Sequence, residues 1–143
     1  MKPITVLLAD DNRVVRTAFR KILELEDDLE VVGEAKNGAQ AVAMVKKLHP
    51  ALVLMDVSMP LLNGFQATRQ ILEAAPATKV LMLSAYSDEA YIEEATRSGA
   101  MGYLLKQDSA DSVCHAIRKV RDGNTFYSSS IPRRLHKRAG RGR

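Results

Sequence analysis

Apolar residues in this chain follow two rhythms that take turns. Short unbroken runs come first: Ile4-Thr-Val-Leu-Leu-Ala9, then Leu29 to Glu34, Ala51-Leu-Val-Leu-Met55, Lys79 to Leu83 and the shorter Gly102 to Leu105. A run of this length reads as a strand buried on both faces of a parallel sheet. Between the runs, apolar positions recur at helical spacing, as in Val15, Ala18, Phe19, Ile22 and Leu23. That spacing predicts helices over about 12–26, 38–48, 64–74 and 88–98, and a fifth that Asp108-Ser109 opens and that continues to about Arg121. Turn signals agree with these limits. Asn37-Gly38 opens the second helix, His49-Pro50 closes it, Ser87-Asp88 caps the fourth, and Gly99 ends it. Five strand–helix alternations predict an α/β fold: a doubly wound, five-stranded parallel sheet between two helix layers.

The pattern stops after Gly123. Phe126-Tyr-Ser-Ser-Ser130-Ile-Pro and the Arg/Gly-rich end read as a linker and a disordered tail, so the expected division is a domain over 1–123 and a tail over 124–143. Charge divides in the same place. Of 21 Lys+Arg, six lie in residues 133–143, which contain no acid, leaving 15 against all 17 Asp+Glu in the rest. The basicity therefore belongs to the tail, whose expected behaviour is either solvation or salt-sensitive, sequence-independent contact with nucleic acid phosphates.

Composition excludes several chemistries. One cysteine, Cys114, rules out an intramolecular disulfide and a Cys-based metal site. His49, His115 and His136 do not cluster at ligand spacing. The apolar runs are strand-length, and no signal-peptide core follows Met1, so the expectation is a cytoplasmic protein with no membrane span.

Two strands end in acid. The first runs into Asp10-Asp11 and the third into Asp56. In an open α/β sheet the carboxyl ends of the strands share one edge, where ligands bind. The βα order adds Ser84 from the fourth strand and Lys106 from the fifth. Three carboxylates beside one ammonium leave two negative charges uncompensated, and like charges this close resist joint ionisation. A divalent cation resolves the excess. Oxygen-only ligands point to Mg²⁺, with Mn²⁺ able to substitute. A carboxylate beside that cation and Lys106 is a nucleophile for a phosphoryl group, with Ser84 placed to donate to a phosphoryl oxygen. The added charge on Asp56 would draw Ser84 and Lys106 inward, a physical basis for a switch.

The stretches LLADDNRVVR (7–16), LVLMDVSMPLLNGFQ (52–66), VLMLSAYSD (80–88) and SGAMGYLLK (98–106) resemble the receiver domain of bacterial two-component response regulators. The resemblance implies a flavodoxin-like, CheY-like sheet of order 2-1-3-4-5. It implies that Asp56 is the phospho-acceptor, that Asp11 binds Mg²⁺ directly and Asp10 through water, and that the Ser58 carbonyl completes the ligands. Ser84 and Lys106 would bind the phosphoryl group, and Tyr103 matches the aromatic that moves inward as Ser84 closes. The implied phosphodonor is a histidine kinase or phosphotransfer protein. The changed face is the fourth helix, fifth strand and fifth helix, which would control transcription or a protein partner, with a homodimer as a family-level expectation. In the family, the positions of Ser58 and Tyr86 flank the entrance to the phosphate. Gln107 departs from the frequent proline after the lysine, and the Leu-Leu-Lys form is similar to the NarL/FixJ subgroup. Members of that subgroup usually carry a helix-turn-helix output domain. Residues 124–143 are too few for one, so the expectation is a single-domain regulator or a piece of a longer one. Such a receiver catalyses only its own phosphorylation and dephosphorylation. Two other readings lose on particular residues. A Mg²⁺-dependent phosphatase wants an acid where Ser58 stands, and an FMN carrier wants a phosphate-cradling loop where Asp10-Asp11 stand.

Overall fold

The structure, a computed structural model, describes residues 2–136. Strands β1 (Ile4–Ala9), β2 (Leu29–Ala35), β3 (Leu52–Asp56), β4 (Lys79–Ser84) and β5 (Gly102–Leu105) alternate with helices α1 (Arg13–Glu24), α2 (Gly38–Leu48), α3 (Gly64–Ala74), α4 (Glu89–Ser98) and α5 (Ala110–Arg121). All strand pairs are parallel. Alternate residues of β1 show why the sheet is covered twice. Leu7 and Ala9 join a core with Val45 of α2, Ile71 of α3 and Ile92 of α4. Ile4, Val6 and Leu8 join the opposite core with Leu23 of α1 and Ile117 of α5. Period-two side chains on a doubly covered sheet require apolar residues at every position, which is the unbroken pattern the sequence carries.

The expected sheet of five strands has six. A short β6 (Phe126–Tyr127) lies beside β5, and the order is β2-β1-β3-β4-β5-β6. Gly102 makes the approach possible, because an added Cβ would stand 2.0 Å from the Phe126 carbonyl oxygen. The linker expected from residue 124 onward is therefore packed structure as far as residue 136. Ile131 and Leu135 bury themselves in the α2–α3–α4 core, and a 3-10 turn (Arg133–Leu135) sets Arg134 against Glu89 of α4 at 3.0 Å. Two residues of strand carry no readable period, and the apolar positions that follow are too widely spaced to register as an element. Residues 137–143, most of the basic tail, lie outside the described residues.

One expected cap differs. Asp88 occupies the position before α4, but its side chain makes no cap hydrogen bond. The histidines are separate: His49 ends α2 in a left-handed conformation, His115 meets the Phe126 ring edge-on, and His136 stacks on Tyr127. Cys114 is buried.

Candidate functional site

Four strand ends converge at one edge of the sheet. Asp10 follows β1, held from both sides of its backbone: its N–H donates to Ala35 O at 3.0 Å, and its carbonyl accepts from Arg16 Nη1 at 2.7 Å. Arg16 is fixed in turn by Glu34, which also pairs with Arg20 at 2.6 Å. The Arg20 hydrogen bond outweighs burial and holds the Glu34 carboxyl below its ordinary range. Arg16 and Arg20 are one helical turn apart, so the spacing that brings both to Glu34 was visible in the chain. Their role behind Asp10 was not, because it depends on β2 lying next to β1.

Asp56 ends β3 and enters a constrained loop. Leu62 N–H donates to Pro60 O at 2.8 Å around Leu61, whose φ is +69°. This three-residue γ-turn is a strained geometry for a residue with a side chain. The loop fits because two glycines leave room. A Cβ on Gly64 would lie 2.2 Å from Asp56 O, and one on Gly38 would lie 1.9 Å from Leu62 O. Asn63 then starts α3 with a capping box that Gln66 completes.

Carboxylate oxygens of Asp10, Asp11 and Asp56 lie within 4.8 Å of one another, with Asp10 and Asp56 buried and Asp11 exposed. The Lys106 ammonium is 3.0 Å from Asp10 Oδ2 and 3.2 Å from Asp56 Oδ1. Burial pushes the Asp56 carboxyl up to about 6, reinforced by Asp10 and partly offset by Lys106. Burial works against the Lys106 charge, but the two carboxylates prevail and raise its pKa. The ion pair does not use Asp10 fully. Asp10 Oδ1 accepts from Asn12 N at 2.8 Å, while the buried Oδ2 faces the ammonium without an aligned hydrogen bond. A buried carboxylate oxygen served by an ion pair but no aligned hydrogen bond, in a cluster of three acids against one lysine, suits a hard divalent cation. Ser58 and Asp11 line the same open cleft, of about 560 Å³, together with Asn63, Phe65 and Tyr91.

The remaining expected residues sit across β4 and β5. Register pairs Asp56 with Leu83 and Ser84 with Leu105, so Ser84 stands one step beyond Asp56 toward the edge. Its buried Oγ accepts from Tyr86 N at 3.0 Å. Tyr103 is fully buried, and its hydroxyl donates to Tyr86 O at 2.7 Å. Burial pushes that phenol up to about 12. Ser84 and Tyr103 therefore hold the same residue, Tyr86, through its two backbone groups. The sequence pointed to Tyr86 only as a flank of the site. Its backbone role appears once β4 and β5 are paired.

Comparison with known proteins agrees with this geometry. The family described as the response regulator receiver domain matches residues 6–118. The chain is 37% identical over 134 residues to the transcriptional regulatory protein DegU of Brevibacillus brevis, covering 94% of this chain and 57% of that protein. It is 42% identical over 122 residues to the oxygen regulatory protein NreC of Staphylococcus carnosus, covering 85% and 56%. Thus it spans just over half the length of these curated relatives. Among solved structures, the receiver domain of the response regulator NarL from Mycobacterium tuberculosis superposes with a TM-score of 0.83 at 30% identity, covering 86% of this chain and 99% of that one.

Proposed function

The chain belongs to the response regulator receiver family of two-component systems, and on that premise we propose that it accepts a phosphoryl group on Asp56 and passes the change to a transcriptional output. The observation that carries the proposal is the Lys106 ammonium bridging Asp10 and Asp56 at the sheet edge. The donor would be a histidine kinase or phosphotransfer protein. An Asp56 carboxylate oxygen attacks phosphorus, the P–O bond forms as the P–N bond to the donor imidazole breaks, and the imidazole leaves with a proton. At neutral pH, a group titrating near 6 is mostly ionised and available as the nucleophile. Lys106 neutralises charge on the transferring oxygens, and the Ser84 hydroxyl, whose oxygen accepts from Tyr86 N, gives its own proton to one of them.

Asp10, Asp11, Asp56 and the Ser58 carbonyl would hold Mg²⁺, with Mn²⁺ able to replace it. When bound, the cation supplies charge neutralisation at the phosphoryl oxygens. Ser84 and Tyr103 form the switch. A phosphoryl group that draws the Ser84 side chain toward itself pulls on one of the two holds on Tyr86 and alters the α4–β5–α5 face. The chain turns over no external substrate in this reading. It acts in the cytoplasm, and among the described residues no helix is long and apolar enough to cross a membrane. DegU and NreC are regulatory proteins with further length beyond the matched region, and DNA contact would belong to such an additional domain. A second copy could dock on the switched face.

The test is intact mass after incubation with a small acyl phosphate and Mg²⁺, beside Asp56→Asn and a metal-free sample. One phosphoryl adduct that requires both Asp56 and Mg²⁺ is expected. A folded protein that binds Mg²⁺ and takes no adduct would reduce the chain to a receiver fold that signals by contact alone.

A further inference from the structure

Lys106 occupies a tight turn that is closed by a residue outside the acid cluster. Asp108 N–H donates to Leu105 O at 2.9 Å, and Asp108 Oδ2 accepts from Leu105 N at 3.0 Å. Main chain and side chain thus join the two ends of the turn Leu105–Asp108, with Lys106 and Gln107 between them. The other carboxylate oxygen, Asp108 Oδ1, accepts from the Ser128 hydroxyl at 3.0 Å. Ser128 is fully buried, and its own N–H donates to Tyr103 O at 2.9 Å. One residue of the C-terminal segment therefore ties the turn that carries Lys106 to the strand that carries Tyr103.

We propose that Asp108 and Ser128 are positioning residues for Lys106, so that the segment after α5 is a working part of the phosphoryl-transfer site. This rests on the proposed transfer to Asp56. The lysine side chain has a flexible four-carbon stem, and holding its ammonium on two carboxylates depends on a fixed backbone origin. Gln107 is exposed, so no buried side chain pins the turn there. Asp108 supplies the constraint instead, and it does so without touching the ammonium. A buried hydroxyl costs free energy unless it is bonded, so Ser128 is poorly suited to filling space alone. The apolar seating of this segment is already provided by Ile131 and Leu135. The Ser128 N–H joins β5, and its hydroxyl, whose oxygen also accepts from Ser130 N at 3.5 Å, gives its proton to the Lys106 turn. A force that lifts the segment away would loosen the same turn.

The test uses the full chain and three variants: Asp108→Ala, Ser128→Ala and Asp108→Asn. Asparagine keeps an acceptor for Leu105 N–H and offers an amide proton that the Ser128 oxygen can accept. Two readouts are taken. One is the rate of phosphorylation by a small acyl phosphate at saturating donor, as a function of Mg²⁺. The other is labelling of the Lys106 amine by an acylating reagent, compared by mass spectrometry with the other lysines. Because small displacements of a positioned group lower rates steeply, both alanine variants should lose about tenfold in maximal rate, with half-saturating Mg²⁺ within about twofold of the parent. Lys106 should label several-fold faster in them while the other lysines do not change, and Asp108→Asn should match the parent in both readouts. Parent-like labelling of Lys106 in Asp108→Ala overturns the proposal, as does an equal defect in Asp108→Asn. A uniform rise over all lysines also overturns it, by assigning the pair to general stability. If the parent itself takes no phosphoryl group, the receiver reading fails, and Lys106 labelling still decides the clamp.

Discussion

On the β2–β1–β3 side of the sheet, three helices begin with an asparagine whose side chain closes the first turn: Asn12 for α1, Asn37 for α2 and Asn63 for α3. That side also fixes its charges, with Arg16 and Arg20 gripping Glu34 and Arg16 reaching the Asp10 carbonyl. On the β4–β5 side, α5 is capped by Ser109, but α4 starts without a side-chain cap bond. Beyond the buried contacts of Ile92 and Ala95, the ion pairs that tie α4 to its neighbours are partly or fully exposed: Arg69 of α3 pairs with Glu94, and Arg134 of the 3-10 turn pairs with Glu89. Exposed pairs of this kind contribute little. The acids proposed to bind the cation thus lead into helices that are locked at their starts, α1 after Asp10 and Asp11 and α3 after Asp56. Ser84 and Tyr103 hold the loop that leads into α4, the one α-helix among the described residues whose start carries no side-chain cap bond. A site that must keep its charges in place and still transmit a change needs both kinds of construction.

The comparison breaks first if the far side of the sheet is not held by the C-terminal segment. Ile131 is almost fully buried against the α2–α3–α4 core. Removing most of that side chain in Ile131→Ala should cost about 2–5 kcal/mol in urea unfolding, through lost burial and the cavity left behind. A loss under about 0.5 kcal/mol, the usual range for surface positions, would make the segment a passenger and return the chain to a five-stranded domain.

The locked side is sharpened by pH. Asp56 titrates near 6 in the fold against an ordinary 3.8, so between those values the folded protein binds more protons than the unfolded chain. Stability contributed by this group is therefore present at low pH and is lost as pH rises through about 6. Without divalent metal, Asp56→Asn should stabilise the protein by on the order of 2–3 kcal/mol above that range, since a tenfold change in proton affinity corresponds to about 1.4 kcal/mol. The gain should vanish below the ordinary carboxylate pKa. Thermal unfolding in chelator across this range checks it. A gain that does not depend on pH would mean that charge is not what makes the pocket costly.

Much of this was legible in the chain because the signals were redundant. The unbroken run ending in Asp56 stated both a doubly covered strand and an acid at its carboxyl end, and the βα order alone brought Asp10, Asp11, Ser84 and Lys106 to the same edge. The parts that were not legible depend on pairings between distant residues. Phe126–Tyr127 is too short to show a period, and it becomes a strand only because Gly102 leaves its neighbour uncovered. Asp108 looks like the start of α5, whereas its two oxygens serve Leu105 and Ser128, and Ser109 provides the cap. Asp88 shows the reverse error. It is a favourable residue for an N-cap, in the right position, and its side chain makes no such bond. Residue type reports what a side chain is able to do, and the backbone leading into the helix decides whether it does so.

That difference gives the smallest and most discriminating measurement. Asn63 Oδ1 accepts from Gln66 N at 2.9 Å, and Gln66 answers by accepting from Asn63 N at 3.0 Å. Replacing Asn63 with alanine removes one arm of this box and should cost about 1 kcal/mol. Asp88→Ala removes no cap bond, and only the attraction between an exposed carboxylate and the helix start is lost, roughly 0.3 kcal/mol. Urea unfolding of the two variants, with amide exchange followed in the first turns of α3 and α4, separates the cases. Asn63→Ala should raise exchange at the start of α3, whereas Asp88→Ala should leave α4 exchanging as fast as it does in the parent. Equal costs would show that α4 is as firmly started as α3. The response of Ser84 and Tyr103 would then have to travel through β5 and the Lys106 turn instead of through the helix.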